Sequence, residues 1–252
     1  MEVRNLSFSY GDKEVLKNLS FKIKRGKITT VMGSNGCGKS TLFNLMTKNL
    51  KVKTGEILLE GNNIEKIKLK EFSKKIAIVH QYNTCPNDVT VKTLVSYGRI
   101  PYEKYYSKNY EEDEKLINWA LEVTNLTEYK DRKMSDLSGG QKQRVWIAMA
   151  LAQNTKILFL DEPTTYLDVR YQIEILKLIK KLNKEYKITI IMVLHHINQA
   201  IYYSDEIIAL KNGELLVQGH PDKVIDKELI KDMYNIELEL YSIDNKKFVL
   251  EV

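Results

Sequence analysis

The sequence predicts an α/β fold in which a glycine-rich loop connects a buried strand to a helix. Gly33–Ser40 reads G-S-N-G-C-G-K-S, a full match to the phosphate-binding pattern G-x-x-x-x-G-K-[ST]. Lys27–Met32 before it is apolar and β-rich, and Thr41–Met46 after it suits a helix whose N-terminus faces the phosphates. A second apolar run, Ile157–Glu162, ends in two carboxylates. Together these segments predict an α/β core that binds a nucleotide.

The chemistry of the loop explains its residue types. Gly36 and Gly38 can adopt backbone angles that side chains forbid, so successive N–H groups turn inward as an anion nest. Lys39 adds a positive charge for the β- and γ-phosphates, and the Ser40 hydroxyl can ligate Mg²⁺. An ordinary glycine-rich turn, the alternative, does not account for the Lys and Ser. The predicted phosphate-binding residues are Gly33, Ser34, Asn35, Gly36, Cys37, Gly38, Lys39, Ser40 and Thr41.

The two carboxylates have a predicted position as well. Ile157–Leu160 is typical of a central parallel strand that is buried on both faces. Ligands of open α/β sheets sit at the C-terminal ends of the strands. We therefore expect Asp161 beside the phosphates and Mg²⁺, and Glu162 next to the γ-phosphate.

A third motif, L-S-G-G-Q at Leu137–Gln141, precedes the carboxylates. Alone it is compatible with an ordinary helix start, in which Ser138 caps the helix in Gln141–Ala152. Together with the two phosphate motifs, in this order, it closely resembles the ATP-binding cassette (ABC) ATPase family over nearly the whole chain. The resemblance implies a P-loop NTPase core with an antiparallel β subdomain and an inserted helical subdomain that carries the L-S-G-G-Q signature.

Size and composition agree with this class. The length of 252 residues suits one well-cored domain or one domain with a subdomain, and the 43% hydrophobic and 29% charged residues are typical of a globular protein. No apolar run approaches the roughly 18–20 residues that span a bilayer, and the first residues lack the apolar segment of a signal peptide. The net charge is +6, but the lysines are scattered, which favours a solvated surface over a nucleic-acid patch and leaves weak attraction to a membrane open. Cys37 and Cys85 are expected to be free thiols in a reducing cytosol.

Hydrophobic periodicity predicts the other elements. Strands are expected at residues 2–10, 19–25, 54–60, 76–80, 156–161 and 187–194, with a hairpin of 207–211 and 214–218. Helices are expected at residues 91–98, 111–124, 141–152, 171–184 and 222–234, followed by two alternating segments at 236–241 and 246–252. These elements predict a P-loop core with the antiparallel β subdomain at 1–81 and 154–220, a helical subdomain at 82–153, and a C-terminal tail at 221–252.

The resemblance assigns roles to four further residues. Tyr10 would stack on adenine, unless it only packs on the sheet at a strand end. Gln81 would join the Mg²⁺ shell and sense the γ-phosphate. Asp168 would cross a dimer interface, cap the following helix, or do both. His195 resembles the switch histidine that hydrogen-bonds the γ-phosphate; His196 follows it, where relatives commonly carry Asp, so the local charge differs from the family pattern.

The resemblance also implies a mechanism with ATP and Mg²⁺ as cofactors. Two copies would pack head to tail, and Ser138, Gly139, Gly140 and Gln141 of one copy would close over the ATP held by the other. Glu162 would orient or deprotonate the attacking water. Charge on the phosphoryl group would be stabilised by Lys39, Mg²⁺ and His195.

Finer features look like the ATPases of importers for iron-siderophore, haem and cobalamin. They include Val95–Tyr102 with its G-R-x-P element, Glu162–Asp168, Leu194–Asn198 and Gly219–Val224. The partners would be an integral-membrane permease and, indirectly, an extracytoplasmic substrate-binding protein, with the chain at the cytoplasmic face of the membrane. The G-R-x-P element would form a surface that grips the permease, with contacts or mere packing by Tyr97, Tyr102, Tyr105 and Tyr106. The alternatives are a soluble ABC ATPase of a ribosome- or DNA-associated machine and an ATPase of another transporter branch; no nucleic-acid partner is expected.

Overall fold

The computed structural model describes residues 1–103, 110–243 and 246–250. Its strands are β1 (Glu2–Tyr10), β2 (Lys13–Lys22), β3 (Ile28–Met32), β4 (Thr54–Leu59), β5 (Asn62–Asn63), β6 (Ile76–Val79), β7 (Ile157–Leu160), β8 (Thr189–Val193), β9 (Glu206–Lys211), β10 (Glu214–Gly219), β11 (Glu239–Ile243) and β12 (Lys246–Leu250). Its α-helices are α1 (Lys39–Met46), α2 (Leu69–Ser73), α3 (Val91–Ser96), α4 (Tyr110–Val123), α5 (Gly139–Ala152), α6 (Val169–Tyr186), α7 (Ile197–Tyr203), α8 (Pro221–Val224) and α9 (Lys227–Tyr234). Short 3₁₀ helices lie at Ile64–Lys66, Tyr97–Tyr102, Thr127–Tyr129 and Met134–Asp136.

The chain folds into two compact units. The first contains Met1–Lys68 and Thr189–Val252, and the second contains Leu69–Ile188. Within the described residues, every helix is too short or too polar to span a lipid bilayer.

The first unit contains two larger sheets. Strands β2, β1, β4 and β5 form an antiparallel sheet in that order. A second group has the order β10-β9-β3-β8, in which β3 is parallel to both neighbours and β9 and β10 form the predicted hairpin. Every residue of β3 and β8 is buried, as expected for parallel strands that are covered on both faces.

The second unit combines a parallel strand pair with helices. Strands β6 and β7 pair in register from Ile76 opposite Ile157 to Val79 opposite Leu160. Helix α4 buries Ile117, Ala120 and Leu121, which share one helical face. Helix α5 is buried over most of its circumference, as expected for a helix enclosed by its neighbours.

Most predicted elements are confirmed, with shifted ends, but the predicted helix at 222–234 is wrong. It divides into α8 and α9, because the Asp226 carboxylate accepts a hydrogen bond from the Leu229 N–H at 2.7 Å and starts a new helix. Strand β2 begins at Lys13, earlier than the predicted residue 19. Helix α7, directly after His195–His196, was not predicted.

Candidate functional site

The predicted phosphate-binding loop joins the end of β3 to the start of α1. Two of its glycines have strongly positive φ angles, 145° at Gly33 and 107° at Gly38. A Cβ atom at Gly33 would lie 2.3 Å from the Leu210 carbonyl oxygen, and one at Gly38 would lie 2.5 Å from Leu16 Cδ2. Since neither position has room for a side chain, the path of the loop depends on glycine.

The Lys39 side chain lies inside the loop that it follows. The residue is 5% exposed, and its Nζ donates hydrogen bonds to the carbonyl oxygens of Gly33 at 2.8 Å and Ser34 at 2.9 Å. An ammonium group has three N–H donors, so the geometry provides a third for an anion. Helix α1 has Gly38 as its N-cap, without a side-chain cap and without an acidic residue in its first turn. Its N-terminal N–H groups and the positive end of its dipole therefore suit a phosphate.

Three other loop residues are consistent with an anion site. Ser40 is exposed in the first turn of α1, whereas Thr41 and Cys37 are buried. Burial raises the pKa of the Cys37 thiol above its ordinary value, against the smaller opposing effect of the Lys39 charge. The thiol is therefore neutral near pH 7 and adds no negative charge to the loop.

His195 lies at the same edge of the sheet as the loop. Strands β3 and β8 are parallel with Val31 opposite Val193, and the Leu194 N–H still donates to the Val31 carbonyl at 3.4 Å. His195, after β8, and Gly33, after β3, each come two residues after these paired valines. His195 and its neighbour His196 are exposed. The structure thus brings the predicted switch histidine to the edge from which the loop departs.

The second unit assembles its own cluster at the ends of β6 and β7. The Gln81 Nε2 donates a hydrogen bond of 2.5 Å to Glu162 Oε2, and the Thr165 hydroxyl donates to the same oxygen at 3.1 Å. The Asp161 N–H donates to the Val79 carbonyl at 2.9 Å, which extends the strand pairing up to the two carboxylates. Gln81, Asp161 and Glu162 are all half-buried. The parallel register explains the cluster, because residues that follow paired strands emerge side by side.

Thr165 was not singled out from the sequence. It belongs to the segment Glu162–Asp168, and its distance of three residues from Glu162 allows a turn: the Thr165 N–H donates to the Glu162 carbonyl at 3.2 Å. The three-residue spacing between Glu162 and Thr165 could have predicted this contact, but only if a turn directly after β7 had also been predicted. Glu162 itself has a φ of 48°, uncommon for a residue with a side chain.

The signature motif starts α5 as a capping box. The Ser138 hydroxyl accepts a hydrogen bond from the Gln141 N–H at 3.3 Å, and the Gln141 side chain accepts one from the Ser138 N–H at 2.9 Å. The predicted capping role of Ser138 is confirmed, although the helix begins at Gly139. A Cβ at Gly140 would lie 2.4 Å from Tyr171 Cδ1, whereas one at Gly139 would meet only Leu167 Cδ2 at 3.7 Å.

Two more predicted residues occupy ends of regular elements. Asp168 is the N-cap of α6, since its Oδ1 accepts a hydrogen bond from the Tyr171 N–H at 3.1 Å. Tyr10 ends β1, where it is 51% exposed and packs edge-to-face on Phe8 with ring centroids 4.9 Å apart. The capping alternative is thus confirmed for Asp168. The Tyr10 ring thus packs on Phe8 of the sheet, and the exposed half of its surface is available to stack on another ring.

The G-R-x-P element has an internal role that the sequence did not reveal. Arg99 is 6% exposed; it donates from Nε to Asp113 Oδ1 at 2.6 Å and from Nη1 to the Ala152 carbonyl at 2.9 Å. A Cβ at Gly98 would lie 2.1 Å from the Met149 carbonyl oxygen. These two residues therefore attach the 3₁₀ helix Tyr97–Tyr102 to α4 and α5 rather than forming a surface.

Other residues of the same element are open to solvent. Tyr97 and Ile100 are exposed. The guanidinium of Arg99 lies over the Tyr102 ring, with its Cζ 4.1 Å from the centroid of that ring. The predicted contact residues Tyr105 and Tyr106 lie outside the described residues.

Comparison with known proteins agrees with the motifs. Residues 16–165 match the ABC transporter family. The chain is 44% identical, over 240 residues, to the iron(3+)-hydroxamate import ATP-binding protein FhuC of Bacillus subtilis (strain 168). That match covers 95% of this chain and 89% of the relative.

Solved structures confirm the predicted fold class. A chain from an inward-facing conformation of a putative metal-chelate type ABC transporter has a TM-score of 0.84 and 27% identity, with 98% of this chain and 94% of that chain covered. The dimeric ATP-binding cassette MJ0796, in a post-hydrolysis state bound to ADP and Pi, has a TM-score of 0.74 and 32% identity, with 87% and 98% covered.

Proposed function

The chain belongs to the ABC transporter family, and from that premise we propose that it is the ATP-hydrolysing subunit of an importer for an iron complex, a siderophore or haem, or for cobalamin. The phosphate loop is the main support for ATP binding, because its buried ammonium, its glycines with positive φ angles and its helix start without a side-chain cap are together suited to a polyphosphate. The similarity to an iron(3+)-hydroxamate import protein supports the cargo class.

ATP binding begins with the loop. Lys39 binds the β- and γ-phosphates with the N–H donor that its two bonds to loop carbonyl oxygens leave over. Backbone N–H groups of the loop and of the first turn of α1 donate to the phosphate oxygens. Tyr10 stacks on the adenine ring with the exposed part of its side chain. His195, at the edge of the sheet that carries the loop, binds the γ-phosphate.

A bound Mg²⁺ would neutralise charge on the phosphate oxygens. The three residues proposed to hold it have oxygen donors of the type that Mg²⁺ prefers. Ser40 has an exposed hydroxyl, and Asp161 a half-buried carboxyl group. Gln81 donates to Glu162 from its amide nitrogen, and its amide oxygen is the atom proposed to bind the ion.

Glu162 is the proposed catalytic base. Two donors, Gln81 and Thr165, converge on its Oε2 and orient the carboxylate. An oriented carboxylate can hold an attacking water in line with the γ-phosphate and accept its proton. Lys39 and His195 stabilise the negative charge that develops on the phosphoryl oxygens.

The complete site requires a second copy of the chain. Ser138 and Gly139 are exposed at the N-terminus of α5, and no acidic residue lies in its first turn. This helix start can therefore bind a γ-phosphate held by another copy, as Ser138, Gly139, Gly140 and Gln141 are proposed to do, with Asp168 at the interface. The similarity to MJ0796, a dimer in its ADP- and Pi-bound state, supports this assembly.

The ATPase acts from the cytoplasmic face of the membrane on a separate permease, which receives its cargo from an extracytoplasmic binding protein. The support is the similarity to a chain of a putative metal-chelate type transporter and to an import ATP-binding protein. Exposed apolar side chains at Tyr97 and Ile100 are the described part of the proposed permease contact.

The test is purification of the chain with its membrane partner, followed by reconstitution in liposomes. The expected partner is a protein with many membrane spans, and ATP turnover is expected to rise when an iron-hydroxamate complex and its binding protein are added. Haem and cobalamin are tested in parallel, and stimulation by either assigns the cargo within the proposed class. Co-purification with ribosomes or DNA in place of a membrane protein would refute the transport proposal.

A further inference from the structure

The C-terminal hairpin, β11 and β12, is attached to the helix that follows the proposed switch histidine. We propose that Asn198 is a positioning residue for ATP hydrolysis: its side chain joins the hairpin to α7 and so holds the backbone at His195. This inference rests on the proposed function, because it concerns the rate of ATP hydrolysis, in which His195 is proposed to bind the γ-phosphate.

The contact is a pair of complementary hydrogen bonds. Asn198 Nδ2 donates to the Val249 carbonyl oxygen at 2.8 Å, and the Val249 N–H donates to Asn198 Oδ1 at 2.7 Å. The side-chain amide thus pairs with Val249 as a neighbouring strand would, on the edge of β12 that β11 does not use. Val249 is 2% exposed. Loss of the amide would leave a buried N–H and a buried carbonyl without these partners, which is costly.

Asn198 is also close to His195 in the chain, in the first turn of α7. Helix α7 begins at Ile197, which is buried, and the Ala200 N–H donates to the His196 carbonyl at 3.1 Å. His196 is the N-cap of α7 but makes no side-chain capping bond. The start of this short helix therefore lacks the usual local support, and the contact of Asn198 with β12 supplies an anchor in its first turn.

Among the described residues, two other contacts anchor the hairpin without involving α7. The Lys247 Nζ donates to the Ile225 carbonyl at 2.7 Å, and the Lys227 ammonium pairs with the Glu239 carboxylate at 2.6 Å. Both connect the hairpin to the segment around α8 and α9. They offer a matched comparison, because a substitution there weakens attachment of the hairpin without removing a contact to the helix after His195.

The experiment uses the full-length chain in its reconstituted complex, with Asn198→Asp, Asn198→Ala and Lys247→Ala. Asn198→Asp is nearly isosteric: it keeps the acceptor for the Val249 N–H but places a carboxylate oxygen against the Val249 carbonyl. Both Asn198 variants are expected to lower kcat about fivefold, with the KM for ATP changed by less than about twofold. Lys247→Ala is expected to retain the wild-type kcat.

Amide hydrogen exchange of residues 246–250 shows whether the contact has opened. Faster exchange in the Asn198 variants together with the fall in kcat supports the positioning role. Faster exchange or a lower Tm with an unchanged kcat makes Asn198 a structural anchor only and overturns the proposal, as does an equal fall in kcat for Lys247→Ala. A wild-type chain without ATPase activity would instead refute the proposed function, so the two failures are distinguishable.

Discussion

The phosphate loop and the Glu162 cluster each hold a charged side chain by hydrogen bonds, but from partners at very different distances along the chain. The loop is local: Lys39 is held by carbonyl groups five and six residues before it. The carboxylate of Glu162 is held by Gln81, which is 81 residues away in the chain, and by Thr165. A local motif carries its geometry in consecutive residues, whereas the second cluster depends on the pairing of β6 with β7. Substitutions should therefore act differently in the two regions.

The largest expected effect is at Lys39. Lys39→Ala removes the buried ammonium and should weaken ATP binding at least about 100-fold, because charge-assisted bonds to phosphate are among the strongest in proteins. Isothermal titration with MgATP measures the affinity. The exposed Lys53→Ala is the control and should bind as the wild type does. Retained tight binding by Lys39→Ala would remove the loop from its proposed role.

Glu162→Gln should separate binding from chemistry. The amide keeps the shape of the side chain but cannot accept a proton, so kcat should fall about 100-fold or more while ATP affinity is retained. The unhydrolysed ATP should also trap a dimer, which size-exclusion chromatography detects. Undiminished turnover would show that Glu162 is not the base.

Substitutions of Gln81 and Thr165 compare how much kcat depends on a contact from a distant part of the chain and on one from the local turn. Gln81→Ala removes the 2.5 Å bond to Glu162 and should lower kcat about tenfold. Thr165→Val is nearly isosteric, removes the longer 3.1 Å bond, and should lower kcat about threefold. Steady-state ATPase rates give both values. If Thr165→Val lowers kcat more than Gln81→Ala does, the bond from the local turn is more important for Glu162 than the bond that the pairing of β6 with β7 provides.

Two adjacent glycines of the signature give a smaller and purely structural contrast. Gly140→Ala places a methyl group in the Tyr171 ring and should destabilise the fold by about 1–3 kcal/mol. Gly139→Ala meets only Leu167 at 3.7 Å and, in a helix, should be neutral or stabilising by up to about 1 kcal/mol. Urea denaturation measures both, and equal stabilities would contradict the close packing of Gly140.

The smallest effect concerns the thiol inside the loop. Burial raises the pKa of Cys37, so its thiolate fraction stays low until the pH exceeds the ordinary thiol value. Alkylation by iodoacetamide at pH 8 should be slower at Cys37 than at the less buried Cys85, as mass spectrometry of the modified peptides would show. Faster labelling of Cys37 would mean that the loop opens readily.

Prediction from sequence succeeded where the signal is local. The strand–loop–helix around Lys39, the cap by Ser138 and the hairpin about residues 212–213 all follow from short patterns. It failed where one side chain alters a pattern: Asp226 starts a new helix inside the segment predicted as one. The subdomain boundaries expected at residues 81, 153 and 220 stay predictions.

Arg99 illustrates a failure of another kind. The resemblance to importer ATPases predicted a surface at the G-R-x-P element, but the fold buries Arg99 against Asp113 and the end of α5, where the last carbonyl groups favour a cation. No periodicity around Arg99 distinguishes these outcomes, because the partners are 14 and 53 residues away.

The amino-acid order alone predicted the α/β fold class, the strand–loop–helix around Lys39 and the two carboxylates that follow β7, because hydrophobic periodicity and backbone freedom act over a few residues. Folding in three dimensions was required to bring Gln81 to Glu162, to bury Arg99 and to fasten Val249 to Asn198. Those contacts depend on strand register and helix packing, which are set by the sum of many distant interactions rather than by any short stretch of chain.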